Sequence, residues 1–192
     1  MKQNNYKKFS QKFTYLNATD GNPLIKAYFA GYTFPTSDFR VYNPCLRFYV
    51  FEYVKSGDVI IESNGVKHSA HCGDVYIFKP GTQVEYYSNG TEKIEKIWFN
   101  MNGILLDKLF EAYGLDNNVI IAHCDVENEI QRIHTLLQCS NASPDIIASL
   151  AIRVHEIIIK ISLANKNIDV SFDPGFSIAE QIKSFIENYI YD

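Results

Sequence analysis

Apolar residues along this chain follow two periods. Between residues 24 and 103 they fall in short β-branched and aromatic runs, among them Tyr49-Val50-Phe51-Glu52-Tyr53-Val54, Asp58-Val59-Ile60-Ile61, Val75-Tyr76-Ile77-Phe78 and Ile97-Trp98-Phe99. Ser-Gly, Asn-Gly, Cys-Gly-Asp and Pro-Gly signals separate them. Short runs punctuated about every ten residues predict antiparallel strands in a sandwich or barrel, and a small jelly roll fits the rhythm. Asn64-Gly65 suits a two-residue hairpin, which needs positive φ at both central residues, and Asn89-Gly90 is a candidate for a second. In the run over residues 24–34, alternation places Leu24, Lys26 and Tyr28 on one face and Ile25, Ala27 and Phe29 on the other. A short strand is expected at Phe39-Arg40-Val41-Tyr42.

After Gly103 the period lengthens to about 3.6 residues, that of a helix. A first helix begins with Ile104, Leu105, Lys108 and Leu109 and stops at Tyr113-Gly114. A second follows Asp125 as N-cap, with Glu127 and Glu129 in the first turn and a stripe of Val126, Ile130, Ile133 and Leu137. A third opens with Ser143 as N-cap and Pro144 at the first helical position and runs to about Asn165. Its residues Ile147, Leu150, Val154, Ile157 and Ile161 alternate steps of three and four, as in a coiled-coil seam. Ile146, Ile152, Ile158, Ile159 and Leu163 make its other faces apolar too. Such a helix is sandwiched, either between its own barrel and a partner subunit or wholly inside one subunit. The seam is our expected dimer interface. Asp173-Pro174-Gly175 reads as a linker, and Ser177-Ile178-Ala179-Glu180 as a capping box opening a last amphipathic helix. The expected division is an arm (1–22), a barrel (23–103), a helical dimerisation region (104–172) and the start of a further domain (173–192).

Bulk properties narrow the function. The chain has 192 residues, 46% hydrophobic, with a formal net charge of -4. It lacks the Lys/Arg run expected of a nucleic-acid binder. No stretch approaches a membrane span, and residues 1–5 are not followed by an apolar signal core. Cys45, Cys72, Cys124 and Cys139 show no Cys-x-x-Cys spacing, and without an export signal they read as reduced thiols in a cytoplasm.

The ordered set aromatic-Val-x-x-Gly, Asn-Gly, Gly-Asp-x-x-x-Phe-x-Pro-Gly and Trp-Phe-x-x-x-Gly, over residues 49–103, resembles the sensor domain of AraC-type transcription regulators. The stretch Ile178 to Ile190 is similar to the first helix of that family's DNA-binding half. The resemblance implies an α+β fold: a cupin-like antiparallel jelly-roll barrel followed by a helical subdomain. It also implies a cytoplasmic, dimeric, non-enzymatic domain that binds a sugar or other small polar effector. Contact with promoter DNA would run only through a C-terminal domain beyond Asp192. Sugar-sensing members place an Arg before the first long barrel strand, matched by Arg40, and an aromatic after the Pro-Gly turn, matched by Tyr86. They place a Trp three residues before the Phe that ends the barrel. Here that slot is Lys96, with Trp98 two residues on, which favours an anionic ligand over a neutral sugar. Arg40, Tyr86, Lys96 and Trp98 are thus the expected ligand-binding residues.

The rival reading is a metal-dependent cupin enzyme, an isomerase or dioxygenase. Residues three apart in a strand point to opposite faces, so His68 and His71 do not chelate one ion. Val84 stands near the position where metal cupins have a ligand. No metal, cofactor or catalytic residue is therefore expected, with His68 at the surface and His71 half-buried. His123-Cys124-Asp125 is read as structural, since adjacency does not bring side chains into hydrogen-bond reach. Nothing in the spacing of Glu85, Glu92 and Glu95 selects an acid/base pair. A third reading, a storage or scaffold protein, needs no continuation past Asp192.

Overall fold

The computed structural model describes residues 10–15, 24–34, 39–90, 92–138 and 143–165, the first segment by its backbone alone. The expected linker at Asp173 and the helix from Ser177 lie outside the described residues, as do most of the expected arm and Cys139.

The described elements are β1 (Ser10–Tyr15), β2 (Lys26–Phe34), β3 (Arg40–Asn43), β4 (Tyr49–Ser56), β5 (Val59–Ser63), β6 (Val66–Ala70), β7 (Asp74–Phe78), β8 (Val84–Ser88), β9 (Glu95–Asn102), α1 (Ile104–Ala112), β10 (Val119–His123), α2 (Glu127–Leu137) and α3 (Pro144–Asn165). The strands make two antiparallel sheets. One has six strands in the order β1-β2-β9-β4-β7-β10, the other four in the order β3-β8-β5-β6. Two strand corrections follow. Residues 10–15, expected in a partly flexible arm, pair with β2. Val119–His123, inside the expected helical region, returns to the large sheet beside β7.

The large sheet is covered on both sides, which is why its central strands are apolar at nearly every position. All five residues of β7 and the first six of β4 are buried. Tyr49, Phe51, Val75, Ile77, Ile97, Phe99 and Met101 join Leu106, Phe110, Ile130, Ile133 and the buried face of α3 in one core. On the opposite side Val50, Val54, Tyr76 and Phe78 meet Phe39, Val59, Ile61 and Val84 to fill the barrel. The expected alternation in β2 holds for Ile25 and Ala27. A bulge between Ala27 and Phe29 then resets it, so Ala30 returns to the helix-side core and Phe29 lies opposite Asn100 on the barrel side.

Turn chemistry explains the corners. Asn64 (φ 51°) and Gly65 (φ 77°) close the β5–β6 hairpin as expected. Asn89-Gly90 does not close a hairpin, because β8 pairs with β3 and β5 whereas β9 belongs to the other sheet. Gly103 sits at φ 145°, where a Cβ would lie 2.1 Å from the Leu24 carbonyl oxygen, so the β9–α1 junction excludes every other residue. Ser143 Oγ accepts the Ile146 N–H at 3.3 Å, as expected of a cap, whereas the N-cap of α2 is Val126 and the Asp125 carboxylate, one residue earlier, accepts the Glu127 N–H at 3.0 Å. No helix among the described residues is long and apolar enough to cross a membrane.

The dimer seam is the main correction in the helices. Leu150, Val154, Ile157 and Ile161 are all at 0% exposure within the single chain, packed in the core shared with α1, α2 and the large sheet. Of the five seam residues only Ile147 keeps some exposure. The periodicity was real, but it reports burial inside one subunit. Val154→Glu is therefore expected to unfold the protein, with loss of the cooperative thermal transition, because an unpaired carboxylate would be forced into an apolar core. A folded, monomeric Val154→Glu variant would restore the seam as an interface.

Candidate functional site

Residues directly opposite on paired strands share a face of the sheet. Glu52 of β4 stands opposite Tyr76 on β7 and Trp98 on β9, and Lys96 of β9 stands opposite Val54. Alternation thus sends Glu52, Tyr76, Lys96 and Trp98 into the barrel, where β8 contributes Val84 and Tyr86. Lys96 and Glu52 form an ion pair in the barrel interior, their side chains only 1% and 5% exposed. The Tyr76 hydroxyl donates to Glu52 Oε2 at 2.6 Å and accepts from Lys96 Nζ at 3.0 Å. The Tyr86 hydroxyl donates to Glu52 Oε1 at 3.1 Å. Three rings surround the ammonium, with centroids at 4.3 Å (Phe39), 4.8 Å (Tyr86) and 5.7 Å (Tyr76). Cation–aromatic attraction of this kind is strongest where water is excluded.

The electrostatics follow from burial. Desolvation lowers the Lys96 pKa from its ordinary value, while the Glu52 charge and hydrogen bond oppose that fall. Burial first, and the Glu52 charge second, push both Tyr76 and Tyr86 well above the usual phenol range. Both hydroxyls therefore stay protonated at neutral pH and serve as donors to the carboxylate. The ring of Tyr86 is half-buried, so this residue links the closed cluster to the barrel surface.

Beyond the cluster, the inner face of β9 continues through Trp98 and Asn100. The indole N–H of Trp98 donates to Thr33 Oγ1 at 2.7 Å, fixing the ring across β2, where its opposite number is Gly31. Asn100 Oδ1 is buried and has no hydrogen-bond partner among the described residues. Phe29, opposite Asn100, packs with Phe48 at 5.9 Å between ring centroids, and Tyr28 lies 5.4 Å from Phe48. On the other side of the strand, His134 of α2 hydrogen-bonds the Trp98 carbonyl through Nε2 at 2.8 Å. Desolvation lowers the His134 pKa, so it is a neutral donor there.

Three of the four expected ligand residues come together, and one does not. Tyr86, Lys96 and Trp98 share the barrel interior. Arg40 does not join them: it stands opposite Tyr87, with its guanidinium 4.7 Å from that ring and paired with Glu85. One residue off the register of Tyr86 puts it on the outer face, with its side chain 60% exposed. The two histidines exchange their expected environments. His71 is exposed and pairs with Asp58 at 2.8 Å, whereas His68 is half-buried. His123 bonds Asp74 at 2.7 Å, away from Cys124, whose thiol burial pushes up to about 12. Among the described residues no group of three His, Cys, Asp or Glu is placed to hold a metal. Val84 is fully buried and offers no donor. Sequence reasoning missed Glu52, Tyr76, Thr33 and Asn100. Glu52 had a readable signal: a lone carboxylate in a run whose other residues are apolar on both faces.

A separate hollow of about 530 Å³ lies outside the barrel, lined by Leu24, Ile25, Leu105, Pro144, Ile147, Ala148 and Ala151. Its wall is mostly apolar, and it carries no chemistry of its own.

The AraC-like ligand binding domain family matches residues 26–153. No curated protein matches the sequence. Unsaturated-fatty-acid-bound wild-type ToxT from Vibrio cholerae is similar at 12% identity and a TM-score of 0.48, over 88% of this chain and 64% of that one. YhaK from Escherichia coli is similar at 6% identity and 0.48, over 61% and 52%. The Cnp3 cupin domain of Schizosaccharomyces pombe is similar at 13% and 0.39, over 56% and 76%. The chain thus spans about half to two thirds of the length of YhaK and ToxT. The fold is a cupin-like β barrel with a helical part. The match over residues 26–153, two thirds of the sequence, carries the assignment: the chain belongs to the AraC-like ligand binding domain family.

Proposed function

We propose that this chain is the effector-sensing part of a cytoplasmic AraC-type transcription regulator and has no catalytic activity of its own. A small polar effector enters the barrel and engages the cluster of Lys96, Glu52, Tyr76 and Tyr86. The observation that supports this most is the buried ion pair. As a source of stability such a pair is poor, because desolvation offsets its Coulombic attraction and apolar residues of similar size serve as well or better. Set in the barrel of a ligand-binding family, it offers both charges for re-pairing with a ligand. An effector that binds one arrangement of the barrel better than another shifts their populations by its differential affinity, and so biases the DNA-binding half that would follow.

Dimerisation belongs to the same proposal, through a different surface from the buried seam. Leu24, Ile104 and Ile152 are large, apolar and 54%, 57% and 55% exposed. They flank the hollow, whose wall includes Ile147, Ala148 and Ala151 of the outer face of α3. A two-fold axis across this face would pair the same patch on both subunits.

Two experiments test the reading. Replacing one member of the ion pair, as in Glu52→Gln, leaves a buried charge unpaired and is expected to cost about 3–5 kcal/mol of stability by chemical denaturation. The double variant Glu52→Leu/Lys96→Met removes both charges. It is expected to fold with a lowered melting temperature, because the buried Tyr76 and Tyr86 hydroxyls lose their acceptor, while losing calorimetric binding of sugars and small carboxylates. Wild-type affinity in the folded double variant would refute the barrel site. For the dimer, Ile152→Glu is expected to sediment as a folded monomer at concentrations where the wild type is a dimer. A variant that remains dimeric would move the interface elsewhere.

A further inference from the structure

Resting on the barrel reading above, we infer that the effector site extends along β9 to Asn100 and takes a hydroxylated carboxylate. The acid group pairs with Lys96 in place of Glu52, and a hydroxyl donates to Asn100 Oδ1. The starting point is that unpartnered oxygen. A buried acceptor without a donor costs stability, and such atoms are rare in folded proteins. Asn100 as a residue is only half-buried, so its orphan oxygen lies inside while part of the residue reaches the surface. Lys96, Trp98 and Asn100 occupy alternate positions of a regular strand and share one face. Alternate residues are about 6.6–6.8 Å apart, so the row spans about 13 Å from a cation, over an aromatic plate, to an amide.

The surroundings define the ligand further. The Trp98 ring is pinned by Thr33 and faces a glycine on β2, so it acts as a fixed plate. Half-buried Tyr28, Phe29 and Phe48 stand beside Asn100 at the same end. Aromatic faces of this kind accept the C–H surface of a polyol, while a few placed polar groups fix its orientation. A hydroxyl both donates and accepts, so it satisfies either orientation of the Asn100 amide. At the other end Glu52, once released from Lys96, takes up a proton from solvent, because a buried carboxylate without its cation is held neutral, and it keeps the Tyr76 and Tyr86 hydroxyls as donors. Neither a plain fatty acid nor a neutral sugar satisfies both ends of the row.

The test is calorimetry with three probes: D-gluconate, n-hexanoate (the acid without hydroxyls) and D-glucose (hydroxyls without the acid). Each is titrated into the wild type, Asn100→Leu and Glu52→Leu/Lys96→Met. Gluconate is expected to bind the wild type at least about tenfold more tightly than either control, the discrimination that one well-made hydrogen bond supplies. Asn100→Leu is expected to lose that preference, leave hexanoate binding within about twofold, and raise the melting temperature of the free protein, because the orphan acceptor is gone. Should Asn100→Leu fail to fold, Asn100→Ala is read by the affinity criteria. Unchanged gluconate affinity in the Asn100 variant, or a wild type that binds none of the probes, overturns this inference. An Asn100→Leu variant with a lower melting temperature and unchanged affinity also overturns it, since Asn100 then holds only a structural water. The double variant reports separately on the barrel itself: if it binds as the wild type does, the underlying reading fails as well.

Discussion

Both faces of the six-stranded sheet are covered, and most of the structure follows from that. The four-stranded sheet closes one side and the helices close the other. A strand in the middle of such a sheet has no face for water, so β4 and β7 are buried at successive positions and not at alternate ones. The helices have to supply an apolar surface broad enough to lid several strands, which accounts for the many isoleucines of α3. The same double coverage makes any polar side chain on these strands expensive unless it finds a partner indoors.

This constraint also decided what could be read from the sequence. The turn at Asn64-Gly65, the starts of α2 and α3 and the period change at Gly103 were legible, because each depends on local chemistry of a few neighbouring residues. The bulge after Ala27 was not, since it is set by pairing with β9, a strand more than sixty residues away. Val119–His123 was missed because a short apolar run after a helix has no period of its own, and its partner β7 is distant in sequence. In α3 the heptad spacing was correctly seen and wrongly assigned. Periodicity shows that a stripe is buried and is silent on whether the cover belongs to the same chain.

The site was legible in the same uneven way. Tyr86, Lys96 and Trp98 could be placed because strand alternation fixes which side chains share a face. Arg40 failed by a single residue of register, which in a strand reverses the side completely. Glu52 and Tyr76 were invisible as partners, because their meeting with Lys96 depends on strand order in the finished sheet. The group that results around Lys96 and Glu52 is neutral overall, mutually hydrogen-bonded and walled by aromatic rings. Exchanging a partner there costs less than creating a new charge.

His134 ties the barrel to the helices through β9. Its imidazole holds the main chain of β9 at Trp98, while the side chain of Trp98 is fixed on the barrel side of the sheet by Thr33 of the neighbouring β2. The strand is thus gripped from α2 at the very residue that lines the barrel. Because α2 packs on α3, the residue that lines the barrel and the two helices share one continuous set of contacts. Because the grip is an uncharged hydrogen bond shielded from solvent, its strength is insensitive to ionic strength.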